Sequence, residues 1–250
     1  MKQAIIYALD FDGVICDSAL ETGISGWKAA SQIWNDFSTA LPTKELSAQF
    51  REIRPIMGTG YEAILIVRLL NNGETVKAIM EDYQAKTQQV LKDSALNIDQ
   101  LKKLFGETRD HWINENMTEW VEMNPLFPRI AEKLQQIPSQ DTWYIITTKQ
   151  ERFVKQILQA NNIQLADERI FGLGRNMSKE AVLTDLVSKH KNETIYFVED
   201  MLPTLLKIIK NDKLKTVKLF LALWGYNTAQ HKLDAEKQAI TLINREEFLL

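Results

Sequence analysis

The amino-acid sequence predicts an α/β fold in which a parallel-sheet core carries an inserted block of helices. Four short apolar runs have the length of buried strands, and helical patterns separate most of them. The runs occupy residues 5–9, 143–147, 195–198 and 217–223. Alternation of this kind is typical of parallel strands joined by right-handed helical crossovers. The length of 250 residues is enough for a large core with a second domain.

The inserted block lies between the first and second strands. From Asp17 to about Asn124 no strand-like run occurs, and apolar residues recur at helical spacing, which predicts four or five helices. The spacing is clearest at Val76, Ile79, Met80, Tyr83, Val90 and Leu91. Pro125 and Pro128 mark the return to the sheet. We therefore predict a sheet core of residues 1–16 and 125–250, and a helical domain of residues 17–124.

Composition narrows the classes of function. Thirty Lys and Arg residues against 33 Asp and Glu residues give a formal charge of -3, so no broad basic field is expected to bind nucleic acid. A lone cysteine, Cys16, excludes an internal disulfide and fits a reducing compartment. The first residues show no secretory pattern, and the longest apolar stretch is far below the ~20 residues of a membrane span. A cytoplasmic protein without a membrane partner is expected.

Polar residues follow the predicted strands at the edge where open α/β sheets bind ligands. These candidates are Asp10 and Asp12 after the first strand, Thr147 and Thr148 after the second, and Glu199 and Asp200 after a later one. Lys179 begins a predicted helix whose start faces the same edge. The sequence therefore predicts one polar site at the carboxyl ends of the strands.

The residue types at this edge favour phosphate chemistry. Asp10 and Asp12 can face one pocket if the chain bends at Gly13, so that one carboxylate attacks phosphorus while the other transfers protons. Asp200 completes an oxygen-only site of the kind that Mg²⁺ prefers. Thr147 and Lys179 supply hydrogen bonds and positive charge for phosphoryl oxygens.

Four ordered motifs resemble those of the haloacid dehalogenase-like superfamily of hydrolases. They are "ALDFDGVICDS" with Asp10 and Asp12, "WYIITTKQ" with Thr147 and Thr148, "MSKEAVLTDL" with Lys179, and "IYFVEDMLPTL" with Asp200. The segment "PLFPRIAEKLQQI" is similar to the family's approach to the helix before the second strand, with Arg129 in place of the usual Gly. In the fourth motif Glu199 takes the usual Gly position and Thr204 takes the position of a second Asp.

The resemblance implies a Rossmann-like core, a helical cap inserted after the first motif, and an aspartyl-phosphate intermediate. It implies that Asp10 is the nucleophile and that Asp12 is the general acid and base. Thr147, Thr148 and Lys179 are then the phosphate-binding residues. Mg²⁺ would be held by the side chain of Asp10, the backbone carbonyl of Asp12 and the carboxylate of Asp200. The implied substrate is a small phosphorylated metabolite.

Specificity is predicted to reside in the cap segment "REIRPIMGTGYEAI", where Arg54 lies next to the helix-breaking Pro55. On the functional interpretation Arg54 binds an anionic or hydroxylated part of the substrate. The competing interpretation is a simple helix-loop-helix connection, in which Arg51 and Arg54 are solvated and Gly58 and Gly60 end one helix and begin the next.

Other interpretations remain open at this point. A sugar phosphomutase would use the same core residues, and a non-catalytic binding or regulatory module would keep the fold without turnover. A dehalogenase is disfavoured, because within the family that chemistry lacks the second Asp and Mg²⁺. Any single motif also has an ordinary structural explanation, such as a solvated Asp-x-Asp turn or an exposed helix lysine at Lys179. The sequence does not determine the substrate or the oligomeric state.

Overall fold

The computed structural model of the protein describes residues 4–137 and 141–250. The chain divides into two compact units. The sheet unit comprises Met1–Asp17 and Pro125–Leu250, and the helical unit comprises Ser18–Asn124. This division places Asp17 in the sheet unit, one residue beyond the boundary expected from the sequence. The N–H of Asp17 donates to the carbonyl of Pro125 over 2.8 Å, which joins the two sheet-unit segments that flank the helical unit in sequence.

Within the described ranges six strands form one sheet, and every pair is parallel. The strands are β1 (Ile5–Leu9), β2 (Thr142–Ile146), β3 (Ile170–Phe171), β4 (Thr194–Glu199), β5 (Lys218–Ala222) and β6 (Thr241–Ile243). Their order across the sheet is β3-β2-β1-β4-β5-β6. The predicted fold class is confirmed, and β1, β2, β4 and β5 match the four predicted runs within one residue at each end. The edge strands β3 and β6 were not predicted, because two or three residues are too few to show a pattern.

Helices join the strands and form the helical unit. They are α1 (Ala19–Ala30), α2 (Lys44–Ile53), α3 (Glu62–Asn71), α4 (Val76–Glu81), α5 (Tyr83–Asp93), α6 (Ile98–Glu122), α7 (Ile130–Gln135), α8 (Glu151–Ala160), α9 (Lys179–Lys189), α10 (Leu202–Ile209), α11 (Ala229–Ala235) and α12 (Arg245–Leu249). Across residues 4–137 and 141–250, no helix has both the length and the apolar content needed to cross a membrane.

The helical unit has its own core, built on α1 and α3. Gly26 allows these helices to approach closely, because a Cβ at Gly26 would lie only 2.8 Å from backbone and side-chain atoms of Ala63. Trp27 and Phe50 are among the large side chains buried in this core. The described part of this unit contains six α-helices rather than four or five. The pattern over residues 76–91 was continuous, but Asp82 leaves the helical conformation with φ -137° and ψ 44°.

A buried ion pair ties α6 to α1 inside the helical unit. Two guanidinium nitrogens of Arg109 donate to the two carboxylate oxygens of Glu21 over 2.6 and 2.7 Å. Their side chains are 6% and 0% exposed, respectively. The indole N–H of Trp120 and the hydroxyl of Ser25 also donate to Glu21. Burial of these charges is tolerable because both are paired and hydrogen-bonded.

The sheet unit buries apolar side chains from its central strands and from the helices that follow them. Ile6 and Ala8 of β1 share one core cluster with Leu183 of α9 and Leu205 of α10. Alternate residues of a strand lie on opposite faces, so this cluster covers one face of the sheet. The packing fixes β1 between its neighbours and sets the positions of the residues that follow its end.

Candidate active site

Strand register brings the predicted residues to one edge of the sheet. Leu9 at the end of β1 pairs with Ile145 of β2 and with Val198 of β4. The N–H of Asp10 then donates to the carbonyl of Val198 over 2.9 Å, which places Asp10 beside Glu199. The residues that follow three adjacent parallel strands therefore meet at the carboxyl edge.

The side chain of Asp10 is held by two donors. Its Oδ1 accepts a hydrogen bond from the N–H of Phe11 over 2.7 Å, and its Oδ2 lies 3.0 Å from the ammonium of Lys179. Asp10 is only 6% exposed. Burial and the adjacent Glu199 carboxylate raise the pKa of Asp10 to about 7, against the lowering effect of Lys179. The ammonium of Lys179 therefore favours the ionised form of Asp10, which burial and Glu199 disfavour.

Lys179 joins two carboxylates at the start of α9. Its ammonium lies 2.7 Å from Oε2 of Glu199 as well as 3.0 Å from Asp10. Burial lowers the pKa of Lys179, but the two carboxylates outweigh it and the net pKa is raised above its ordinary value. Ser178 caps the helix by accepting a hydrogen bond from the N–H of Ala181, and this fixes where the helix begins. Lys179 is therefore a cation at neutral pH.

Glu199 is fully buried and has a clear partner. Its Oε1 accepts a hydrogen bond from the N–H of Met201 over 3.0 Å, and its Oε2 accepts from Lys179. The departure from Gly at this position thus adds a carboxylate that orients Lys179 against Asp10. The sequence showed the departure, but it did not show this contact.

Asp200 lies in a space shaped by two glycines. Its side chain has no exposed surface, and its Oδ2 accepts a hydrogen bond from the N–H of Tyr226 over 2.6 Å. A Cβ on Gly13 would overlap the carboxylate of Asp200, and a Cβ on Gly225 would overlap its Cβ. Gly13 also has a φ of 87°, a backbone conformation that side chains disfavour. Only glycine at these two positions leaves room for the Asp200 carboxylate.

Asp12 forms an ion pair with a different lysine from the one beside Asp10. Its Oδ1 lies 2.9 Å from the ammonium of Lys149, whose side chain is 1% exposed. Lys149 was missed in the sequence, although it is only two residues beyond Thr147 in "WYIITTKQ". Its position just after a central strand was the available signal. Asp10 and Asp12, which are separated by one residue, therefore form ion pairs with two different lysines.

The two threonines after β2 differ in environment. Thr147 is 6% exposed; its N–H donates to the carbonyl of Phe171 over 2.8 Å, and its hydroxyl accepts from the N–H of Lys149 over 3.1 Å. Thr148 is exposed. The geometry places Thr147 beside Lys149 at the sheet edge, while the predicted role of both threonines in binding phosphate stays a prediction.

The donor set fits a hard divalent cation. One carboxylate oxygen from each of Asp10, Glu199 and Asp200 lies within 4.8 Å of the others. The Asp12 side chain, which faces Lys149, is outside this group of three. The charged side chains of the site are those of Asp10, Asp12, Glu199, Asp200, Lys149 and Lys179. With every group ionised, these four carboxylates and two ammonium ions have a net charge of two negative. An all-oxygen, buried cluster with this excess suits a hard divalent cation.

Arg54 belongs to the helical unit, in a 3-10 turn that follows α2. It is only 8% exposed, and one guanidinium nitrogen donates to the carbonyl of Met57 over 3.3 Å. The interpretation in which Arg54 is solvated is therefore wrong, whereas Arg51 is exposed. Contact between Arg54 and a substrate stays a prediction.

Comparison with known proteins supports the fold. No protein-family model matches the chain, and no curated protein matches it. Among solved structures, a predicted phosphatase from Clostridium acetobutylicum is 16% identical with a TM-score of 0.60, covering 100% of this chain and 97% of its own. A predicted phosphoglycolate phosphatase from Haemophilus somnus is 16% identical with a TM-score of 0.58, covering 93% and 92%. A haloacid dehalogenase-like family protein from Streptococcus pneumoniae is 18% identical with a TM-score of 0.55, covering 99% and 97%. The chain has the fold of these structures over nearly its whole length.

Proposed function

We propose that the protein is a Mg²⁺-dependent phosphomonoester hydrolase of the haloacid dehalogenase-like superfamily, acting on a small phosphorylated metabolite. The observation that carries the proposal is the buried Asp10 carboxylate, 3.0 Å from Lys179 and grouped with Glu199 and Asp200 at the carboxyl edge of the sheet. The phosphatases among the similar structures and the order of the four motifs support the same assignment.

In the proposed reaction Asp10 attacks phosphorus. A bond forms between its carboxylate oxygen and phosphorus while the bond from phosphorus to the leaving oxygen breaks, and Asp12, which enters this step carrying a proton taken from solvent, donates that proton to the leaving oxygen. Asp12 then removes a proton from water, whose oxygen attacks the aspartyl phosphate and releases inorganic phosphate and the free carboxylate. Lys149, at 2.9 Å, holds Asp12 in the place that both proton transfers require.

Lys179 and Thr147 are the proposed phosphate-binding side chains, with Thr148 beside them. Lys179 carries a permanent positive charge next to the nucleophile, where it can oppose the charge on phosphoryl oxygens in the transition state. Its bond with Glu199 fixes the ammonium in position before substrate arrives. This preorganisation is the reason for assigning Glu199 to Lys179 and not primarily to a metal ion.

The residues proposed to hold Mg²⁺ are Asp10 through its side chain, Asp12 through its backbone carbonyl and Asp200 through its carboxylate. When bound, the cation supplies positive charge against the phosphoryl oxygens. Asp200 is positioned for this role by the N–H of Tyr226 and by the close packing of Gly13 and Gly225. The chain itself therefore prepares an anionic, oxygen-lined site.

The helical unit is proposed to be the cap that selects the substrate, with Arg54 as its anion-binding residue. Segment 57–62 of this unit is well fixed. The carboxylate of Glu62 accepts from the N–H of Gly58 over 2.8 Å and from the phenol of Tyr83 over 2.7 Å. A guanidinium beside a fixed segment loses little freedom on binding a ligand, which favours selectivity.

The test is a phosphate-release assay with an aryl phosphate and a panel of phosphorylated metabolites, with Mg²⁺ and with EDTA. We expect Mg²⁺-dependent release that the Asp10→Asn variant lacks. Transfer of the phosphoryl group to a second sugar-phosphate position without free phosphate would identify a phosphomutase instead. Absence of turnover on every compound, with Mg²⁺ and correct folding, would contradict the proposal and favour a binding module.

A further inference from the structure

The carboxylate of Glu151, at the first position of α8, lies among backbone N–H groups of segment 172–175. Its Oε1 accepts hydrogen bonds from Gly172 and Arg175, each over 3.1 Å, and its Oε2 accepts from Gly174 over 3.1 Å. Three main-chain donors on one side chain are an unusually complete set for a carboxylate outside the acidic cluster. Successive N–H groups arranged in this way form a concave site for an anion.

The segment is shaped to fit this carboxylate. A Cβ at Gly174 would lie 2.7 Å from Oε2 of Glu151, and a Cβ at Gly172 would lie 2.9 Å from its Cδ. Both glycines are therefore required for Glu151 to enter. The chain's own carboxylate accepts hydrogen bonds from these donors, so the glycine-containing segment has a partner within the protein.

The same segment contacts the backbone of Lys149. The N–H of Leu173 donates to the carbonyl of Lys149 over 3.1 Å, and a Cβ at Gly172 would overlap that carbonyl oxygen. One residue earlier, the carbonyl of Phe171 accepts from the N–H of Thr147. Segment 171–175 thus runs along residues 147–149, and Glu151 fixes its far end.

We propose that Glu151 is a positioning residue that acts through Lys149. Glu151 holds segment 172–175 in place, this segment holds the Lys149 backbone, and the Lys149 ammonium is thereby kept 2.9 Å from Asp12. The inference rests on the proposed phosphatase function, in which Asp12 transfers protons.

The catalytic effect follows from how strongly proton transfer depends on distance. Lys149 is almost fully buried, so its side chain cannot adjust freely when its backbone moves. Displacing a catalytic contact by about 1 Å can reduce turnover on the order of a hundredfold. We call the three hydrogen bonds from the N–H groups of Gly172, Gly174 and Arg175 to Glu151 the tether. Loss of this tether should therefore lower kcat, while substrate binding through Lys179 should change little.

Two variants disturb the tether from opposite sides. Glu151→Gln keeps the shape but turns an amide nitrogen toward an N–H donor, and Gly174→Ala places a methyl group against Glu151. Asp167→Asn is the matched control. The carboxylate of Asp167 pairs over 2.7 Å with Lys155 of α8, the helix that Glu151 begins, and the Asp167 side chain is 72% exposed. Asp167 lies shortly before β3. We expect Glu151→Gln and Gly174→Ala each to lower kcat on an aryl phosphate about ten- to a hundredfold. KM should change less than about threefold, and Asp167→Asn should match the wild type.

Two further measurements separate positioning from general loss of structure. Hydrogen exchange should show faster exchange at Gly172, Gly174 and Arg175 in Glu151→Gln, with thermal unfolding close to that of the wild type. The double variant should be little worse than the poorer single variant, because both changes act on one segment.

Faster exchange with unchanged kcat would overturn the positioning role and leave the phosphatase function intact. Equal exchange in wild type and Glu151→Gln would overturn the tether itself. An inactive wild type would overturn the proposed function, and the catalytic role of Glu151 with it.

Discussion

The ammonium of Lys149 lies 2.9 Å from Oδ1 of Asp12, while the ammonium of Lys179 lies 3.0 Å from Oδ2 of Asp10. Each of the two neighbouring aspartates therefore has its own cation. Such separation allows two carboxyl groups to perform different tasks in one small site. Asp10 shares its lysine with Glu199 and belongs to the group of three carboxylates with Glu199 and Asp200, whereas the Asp12 carboxylate is not part of that group.

The pairing of Lys149 with Asp12 should appear as a coupling free energy. We expect Lys149→Met and Asp12→Asn each to destabilise the protein, because each leaves a largely buried charge without this partner. Their double variant should lose less stability than the sum of the two, with a coupling of about 1–3 kcal/mol. Urea unfolding of the four proteins measures it. Simple additivity would mean that the contact contributes nothing to stability.

Replacement of Asp10 should remove turnover and preserve the fold. Asp10→Asn is nearly isosteric, but its amide is a poor nucleophile, so we expect at least about a thousandfold loss of phosphate release. Stability should be equal or higher, since one of several clustered carboxylates becomes neutral. Near-normal release by the folded variant would exclude Asp10 as the nucleophile.

Asp12→Ala should also lose phosphatase activity, because both proposed proton transfers use Asp12. Accumulation of phosphoenzyme in this variant would show that hydrolysis of the aspartyl phosphate is slowed more than its formation.

Activity should depend on a divalent cation held by Asp10, Asp12 and Asp200. Chelation with EDTA should abolish phosphate release, and added Mg²⁺ should restore it. Ca²⁺ should inhibit, because its larger shell would engage both carboxylate oxygens of Asp10, the proposed nucleophile. Mg²⁺ should also raise the melting temperature of the wild type but not that of Asp200→Asn. Full activity after exhaustive chelation would refute the metal requirement.

Substrate selection by the helical unit can be tested at Arg54. We expect Arg54→Ala to lower kcat/KM on the best metabolite in the panel by ~1.5–3 kcal/mol, or about ten- to more than a hundredfold. An aryl phosphate should be hydrolysed almost normally, because it offers Arg54 nothing to bind. Arg51→Ala, three residues earlier and exposed, is the matched control. Since Arg54 also bonds to Met57, equal losses on both substrates together with lower stability would assign it a structural role.

The buried pair in the helical unit predicts a large effect on stability. Arg109→Met leaves the fully buried Glu21 without its guanidinium, and we expect a loss of about 3–5 kcal/mol in the free energy of unfolding. A second change, Glu21→Leu, should recover part of it. Lys77→Met is the control, because Lys77 and Glu81 form an exposed pair 3.8 Å apart that contributes little. Similar effects of Arg109→Met and Lys77→Met would show that burial of the pair is unimportant.

The positions of the sheet residues at the candidate site could be predicted from the sequence for a physical reason, while their roles stay predictions. A strand buried on both faces is a continuous apolar run, and the carboxyl ends of parallel strands share one edge. The positions of Asp10, Thr147 and Asp200 therefore follow from where the runs end. Lys179 was placed at the start of a predicted helix, and in the structure Lys179 is the first residue of α9, with Ser178 as its N-cap.

The contacts that organise the site were beyond sequence reasoning. In the sequence, Lys149 is typical of an exposed turn and Glu151 is typical of the start of a helix. Only three-dimensional packing buries Lys149 and brings Glu151 to segment 172–175. The pairing of Glu199 with Lys179 likewise depends on two elements that no local pattern connects. Charged side chains whose partners are distant in sequence carry no periodic signal.

The pairing of β1 with β4 also determines when the site can exist. Asp10 is made early and Asp200 about 190 residues later, with the helical unit between them. A nascent chain therefore contains Asp10 for most of synthesis without Lys179, Glu199 and Asp200, which complete the candidate site. The carboxyl edge that brings Asp10, Glu199 and Asp200 together forms only after β4 has been synthesised and has paired with β1, so we expect a chain truncated before β4 to lack the proposed activity.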